Sequence, residues 1–271
     1  MKYIIFVDCD GTITDDNSNI TERTINSIQN LMNNNCHVVI CSGRPRYSAN
    51  WIKERVSASK YIVSSNGAEI YDADKHEIIL QNIIQKDVCL DVCTKALACD
   101  SRIVLVSDNY EYVTEVAHSE HQKIMEDYKE TIKNKDIKQI FITNNSFDKI
   151  NDLRNYVLKL DDIKIVNESS SFNSDSKSKY EKGAWFSIAN TTTSKGDALN
   201  YLVKLLEIPK ENVYAMGNDY NDVPMFSSAG ISICLENSPQ DIKQMVDIVT
   251  SSNNDEGAAK AFEQILKEIT K

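Results

Sequence analysis

The run Tyr3-Ile4-Ile5-Phe6-Val7 ends abruptly at Asp8. Five apolar residues in a row, with no polar alternation, make a strand buried on both faces, so layers must cover it from both sides. Helices packed on a parallel sheet supply such layers. The same grammar repeats downstream. Ile25, Ile28, Leu31 and Met32 recur at helical spacing behind Thr21, and Val38-Val39-Ile40-Cys41 then runs into Ser42-Gly43-Arg44. Tyr61-Ile62-Val63 likewise runs into Ser64-Ser65-Asn66-Gly67. In a βαβ arrangement these three strand ends share one edge of the sheet.

The character changes between about Gln81 and Lys182. Strand-like runs at Arg102 to Ser107 and Tyr110 to Glu115 come first, and Ser119 to Thr131 reads as a helix opened by a Ser119/Gln122 capping pair. Strand-like Lys138 to Thr143, a helix near Phe147 to Leu160 and strand-like Ile163 to Asn167 follow, and Ser169 to Lys182 reads as a mobile loop. The expected division is a core at 1–80, an inserted α+β domain at 81–183, and the rest of the core at 184–271. In that last part Ser194 and Asp197 cap a helix beginning at Lys195, and Asn212 to Met216 is a strand ending in Gly217-Asn218-Asp219-Tyr220-Asn221-Asp222. Ile231 to Leu235 and Ile248-Val249 are further strands, and an amphipathic helix carrying Ala258, Phe262 and Ile265 closes the chain.

Composition narrows the partners. With 271 residues and 41% hydrophobic content, the chain can fill a core without disulfide staples. Its 40 acidic against 30 basic side chains, a net charge of −10, repel phosphate backbones and anionic lipid, so neither nucleic acid nor a membrane surface is expected as a partner. No membrane-spanning run or signal-like N-terminus is visible, and the seven cysteines lack a framework spacing, which together point to a reducing, cytoplasmic setting. Cys89, Cys93 and Cys99 share a helical stretch with Val88, Val92, Ala96 and Leu97, a pattern of packing rather than metal ligation.

Ligands of open α/β sheets bind beyond the carboxyl ends of the strands. Those ends deliver Asp8 and Asp10, then Ser42, then Lys195 at a helix start, then the acidic loop 218–222. Paired aspartates beside Gly11-Thr12 suit magnesium, which takes oxygen ligands and keeps several waters. A lysine and a cation would offset the repulsion between a carboxylate and a phosphate. An aspartate could then attack phosphorus, a second could serve as acid and then base, and Ser42 with nearby N–H groups could hold the transferring oxygens.

Asp8-Cys9-Asp10-Gly11-Thr12, Cys41-Ser42-Gly43-Arg44, Ser65-Asn66-Gly67, Ser194-Lys195-Gly196 and Gly217-Asn218-Asp219-Tyr220-Asn221-Asp222 together resemble the haloacid dehalogenase superfamily. The resemblance spans the chain, and the position of the insert is similar to that of Cof-like phosphatases with a type 2 cap. It implies a Rossmann-like, doubly wound parallel-sheet core with an inserted α+β cap of the C2 type. It also implies Asp8 as nucleophile and metal ligand, and Asp10 as acid/base with its carbonyl on Mg2+. Ser42, Gly43, Arg44, Asn66, Lys195 and Asn221 become the phosphate- and substrate-binding group. The family usually has aspartate where this chain has Asn218, so either Asn218 or Asp219 takes the metal, with Asp222 a further ligand or a supporting carboxylate.

The implied activity is hydrolysis of a small phosphorylated metabolite, a sugar phosphate foremost, by a monomer or weak homodimer. A sugar phosphomutase of the same fold, and a phospho-ligand binder without turnover, are the alternatives. Arg44 reads equally well as a surface ion pair or a substrate contact. His37, His76, His118 and His121 lie outside every motif.

Overall fold

The computed structural model describes residues 3–115, 117–169 and 184–270. From the N-terminus come β1 (Tyr3–Val7), α1 (Glu22–Asn33), β2 (Cys36–Cys41), α2 (Arg46–Val56), β3 (Tyr61–Ser64), β4 (Glu69–Asp72) and β5 (Glu77–Gln81). The inserted segment contributes α3 (Lys86–Ala98), β6 (Arg102–Ser107), β7 (Tyr110–Val113), β8 (Gln122–Ile124), α4 (Tyr128–Asn134), β9 (Gln139–Asn144), α5 (Phe147–Val157), β10 (Ile163–Glu168) and β11 (Ala184–Asn190). The chain then returns with α6 (Lys195–Leu205), β12 (Val213–Gly217), α7 (Val223–Ser228), β13 (Ile231–Leu235), α8 (Gln240–Lys243), β14 (Ile248–Thr250) and α9 (Gly257–Ile269).

The chain divides into two compact units, one formed by the segments up to Leu80 and from Ser194 onward, the other by Gln81–Thr193. In the first, eight strands lie in the order β14-β13-β12-β1-β2-β3-β4-β5. β14 through β3 are parallel, and β4 turns back antiparallel on β3. β1 sits centrally, and its alternate residues feed two cores. Ile5 and Val7 pack with Ile28 and Leu31 of α1, Ile52 of α2 and Phe262 of α9. Ile4 and Phe6 pack on the other face with Leu199 and Leu202 of α6 and Met225 of α7. Ile4, Ile5, Phe6 and Val7 are all fully buried, and each such side chain contributes about 1.5–3 kcal/mol. Thr21 caps α1 by accepting the Thr24 N–H, as the spacing suggested.

The inserted unit is a six-stranded sheet, β10-β11-β9-β6-β7-β8, antiparallel except where β8 lies parallel to β7. α3, α4 and α5 cover one face around Ile103, Leu105, Ile140 and Phe186, and Cys89 and Cys93 are packed into that apolar cluster.

Two expectations are corrected here. β11 pairs with both β9 and β10, so 184–190 belong to the insert, and the second junction falls between Thr193 and Ser194 rather than after 183. The helix expected over Ser119 to Thr131 is a turn, then β8, then the N-terminal half of α4. Gln122 does not complete a capping box; its side chain accepts the His118 N–H and donates to Glu111, while Lys123 and Ile124 extend the sheet beside β7. The loop expected at Ser169 to Lys182 falls almost wholly outside the described residues.

Candidate active site

Asp8 is the first residue past β1, Ser42 follows β2, the Ser65–Gly67 turn follows β3, and Asn218 follows β12. Lys195 opens α6, whose N-cap Ser194 accepts the Asp197 N–H. Parallel strands put all of these at one edge, and the side chains converge there.

At the centre is a fully buried lysine. Lys195 Nζ donates to Asp8 Oδ1 at 2.5 Å and to Asp222 Oδ1 at 2.6 Å. Burial pulls the ammonium's pKa down, but the charges of Asp222 and Asp8 more than offset this and hold Lys195 above its ordinary value. Burial pushes the Asp8 carboxyl up to about 7, with Lys195 opposing the rise and Asp222 adding to it. Two carboxylates around one ammonium leave an excess negative charge in a dry place. An added cation would relieve it.

Asp222 is buried, and both its oxygens are engaged. Its Oδ2 accepts the N–H groups of Asn218 at 2.8 Å and Asp219 at 3.0 Å, so it braces the loop that carries them while its Oδ1 holds Lys195. Asp219 is exposed and turns its side chain to the N–H of Tyr220, capping the short helical turn that follows. Asn218 instead faces the first motif, where its Oδ1 accepts the Thr12 hydroxyl at 2.9 Å. The same hydroxyl lies 3.3 Å from Asp8 Oδ2. Gly11, at φ +71°, turns the chain between these groups, and a Cβ on it would fall 2.7 Å from Asn218 Nδ2.

Asp10 is half exposed, and both its oxygens are held by Arg44, Nε to Oδ2 at 2.8 Å and Nη2 to Oδ1 at 2.5 Å. Of the two roles weighed for Arg44, the ion pair is the one seen, and it falls on the acid/base candidate itself. Ser42 is buried, and its hydroxyl oxygen accepts the Arg44 N–H at 3.2 Å. Asn66 is also buried, lies against Gly43, and accepts the Asn221 side-chain N–H at 3.0 Å. These two asparagines, expected among the substrate-binding residues, bond to each other and tie two loops of the site together. Cys9 is no rival nucleophile, because burial and the charges of Asp8 and Asp10 push its thiol far above the usual range.

Among the described residues no group of three or more His, Cys, Asp and Glu side chains forms a metal cluster. The oxygens that meet at the first motif, the Asp8 carboxylate and the Asn218 carboxamide joined through the Thr12 hydroxyl, fit a hard cation such as magnesium rather than zinc. Thr12 escaped the list of expected site residues, although it stood inside the first motif.

A family profile for haloacid dehalogenase-like hydrolases matches residues 5–262. The chain belongs to that family. Within it this hydrolase is similar to a Buchnera aphidicola (subsp. Baizongia pistaciae) protein, 32% identical over 248 residues and covering 88% of each chain. It is also similar to the 5-amino-6-(5-phospho-D-ribitylamino)uracil phosphatase of Bacillus subtilis, at 25% identity over 96% of this chain and 94% of that one. The crystal structure of a haloacid dehalogenase-like hydrolase from Bacteroides thetaiotaomicron superposes with a TM-score of 0.83 at 20% identity, covering 98% and 100% of the two chains. The fold is thus the α/β core with an inserted α+β cap, and the hydrolase is a phosphatase, as its relatives are. Among its described residues no helix is long and apolar enough to cross a membrane.

Proposed function

We propose that this phosphatase hydrolyses a small phosphorylated metabolite, a sugar or polyol phosphate foremost, through a phospho-aspartyl intermediate on Asp8 and with magnesium bound. The observation that carries the proposal is the buried Lys195 shared between Asp8 and Asp222, which keeps the Asp8 carboxylate oriented at the strand edge. Support for the substrate class comes from the Bacillus subtilis relative, whose name specifies a phosphorylated ribityl compound.

The steps follow from the residues. A carboxylate oxygen of Asp8 forms a bond to phosphorus as the bond to the leaving alkoxide breaks, and Asp10, protonated on one oxygen and held by Arg44 through the other, gives its proton to the alkoxide oxygen. Asp10, now a carboxylate, takes a proton from water, whose oxygen attacks phosphorus and frees Asp8 and inorganic phosphate. Ser42 with the Gly43 and Arg44 N–H groups, and Lys195, bind the phosphoryl oxygens while charge develops there. The Asp8 carboxylate, the Asp10 carbonyl and Asn218 Oδ1 would hold magnesium, which lowers the repulsion between nucleophile and phosphate when bound. Asp219 is left to cap its turn and Asp222 to brace the loop.

The test is phosphate release from a panel of sugar phosphates, polyol phosphates and nucleotides, with and without magnesium. Metal-dependent release that disappears in Asp8→Asn is expected. Undiminished release by Asp8→Asn would overturn the assignment, and isomer interconversion without release would select a mutase.

A further inference from the structure

Ser65, Asn66 and Gly67 take consecutive left-handed conformations, with φ of 50, 58 and 95°. The first two are not glycine, and each costs roughly 1–2 kcal/mol in that region. Such a run persists only where its surroundings over-determine it, and three segments of the site do so. The Ser65 N–H donates to the Arg44 carbonyl at 2.9 Å, and the Asn66 N–H to the Ser42 carbonyl at 3.0 Å. The Asn66 side chain holds Asn221. Gly67 passes so close to α6 that a Cβ would fall 2.1 Å from the Ser194 carbonyl oxygen. One turn thus touches the serine loop, the 218–222 loop and the start of the lysine helix.

The far end of this turn is anchored on Glu69, the first residue of β4 and the cross-strand partner of Ser64. Its side chain is fully buried, yet it is a carboxylate. Ser64 Oγ donates to Glu69 Oε1 at 3.3 Å, and Arg46 Nε lies 3.5 Å from the same oxygen. The Arg46 guanidinium also sits 4.6 Å from the centre of the Tyr71 ring. Arg46 is the first residue of α2, two positions beyond Arg44. A buried ion pair generally adds little over a well-packed apolar residue, whereas removing one partner is costly. Its placement, bridging the stems of two loops that meet at Ser42, gives it a different use.

We propose that Glu69 is a positioning residue for the phosphate-binding serine. Through Arg46 it fixes the outgoing stem of the Ser42–Arg44 loop, and through Ser64 it fixes the turn whose N–H groups hold the Ser42 and Arg44 carbonyls. It touches no substrate. The inference rests on the proposed role of Ser42 in binding phosphate.

A double-mutant cycle tests it, with Glu69→Gln, Ser42→Ala and the pair compared with wild type. The readouts are kcat and KM for p-nitrophenyl phosphate with magnesium, and the Kd of inorganic phosphate by calorimetry. Glu69→Gln is expected to raise KM and the phosphate Kd about tenfold with a smaller effect on kcat, and most of that loss is expected to vanish in the Ser42→Ala background. Wild-type KM and Kd in Glu69→Gln, or an equal loss with and without the serine hydroxyl, would overturn the proposal and leave the role of Ser42 standing. Wild-type behaviour in Ser42→Ala would overturn the serine assignment and the inference together. Arg46→Gln, at the better-exposed end of the pair, carries the same cycle should Glu69→Gln fail to fold.

Discussion

Removing the proposed nucleophile, Asp8, should make the metal-free protein more stable at neutral pH. Asp8, Lys195 and Asp222 are three buried charges summing to −1, and Asp8→Asn leaves a neutral Lys195–Asp222 pair with a carboxamide of nearly the same shape. The magnitude follows from the carboxyl's rise from 3.8 to about 7. Three units at 1.36 kcal/mol each set a ceiling of about 4 kcal/mol. A carboxyl raised in the folded state binds its proton more tightly there than when unfolded, so wild type loses stability as pH climbs from about 4 to about 7, then loses no more. Lys195, held above its ordinary value, stays charged throughout that window in both proteins. Urea unfolding in EDTA at pH 4, 5.5 and 7.5 measures the difference. Asp8→Asn should match wild type near pH 4 and exceed it by up to about 4 kcal/mol at pH 7.5, and magnesium should narrow the gap. A variant less stable than wild type at pH 7.5, or a gap independent of pH, would refute the electrostatic argument.

Three other outcomes follow from the same geometry. Lys195→Met leaves two buried carboxylates without their cation, so urea unfolding at pH 7.5 should show a loss of about 3–5 kcal/mol that shrinks at pH 4. Calorimetric titration of magnesium should show affinity raised on the order of tenfold in Asn218→Asp, which adds ligand charge, and unchanged in Asp219→Asn. Arg44→Gln breaks a largely solvent-screened pair, so stability should shift by no more than about 1 kcal/mol while kcat/KM falls because Asp10 is no longer aimed. A thermal midpoint lowered by more than about 5 °C would contradict that division of labour.

The parallel core was legible because β1, β2, β3 and β12 are apolar without alternation and each ends in a polar, glycine-bearing loop. Lys195 and the carboxylates were legible for the same reason, since strand ends of one sheet must meet. What stayed hidden depended on contacts distant in sequence. That Asn218 rather than Asp219 faces Thr12 is decided by Asp222, which gathers both backbone N–H groups and fixes which side chain turns inward. The pairing of Arg44 with Asp10 spans 34 positions and has no periodic trace. Glu69 was invisible to hydropathy, which assigns a glutamate to the surface, whereas here the carboxylate is buried against Ser64 and Arg46. β8 was misread because Ser119 and Gln122 satisfy a capping pattern, whereas the Gln122 side chain bonds to the His118 N–H and to Glu111 while its backbone joins β7.

The proposed covalent role of Asp8 can be tested directly. The phosphatase is mixed with excess sugar phosphate and magnesium, quenched in acid within milliseconds, reduced with borohydride and digested for mass spectrometry. An acyl phosphate on Asp8 would be reduced to homoserine at position 8, and this conversion is expected in wild type and absent without substrate. Phosphate release with no modification at any quench time, or modification at another carboxylate, would contradict nucleophilic attack by Asp8.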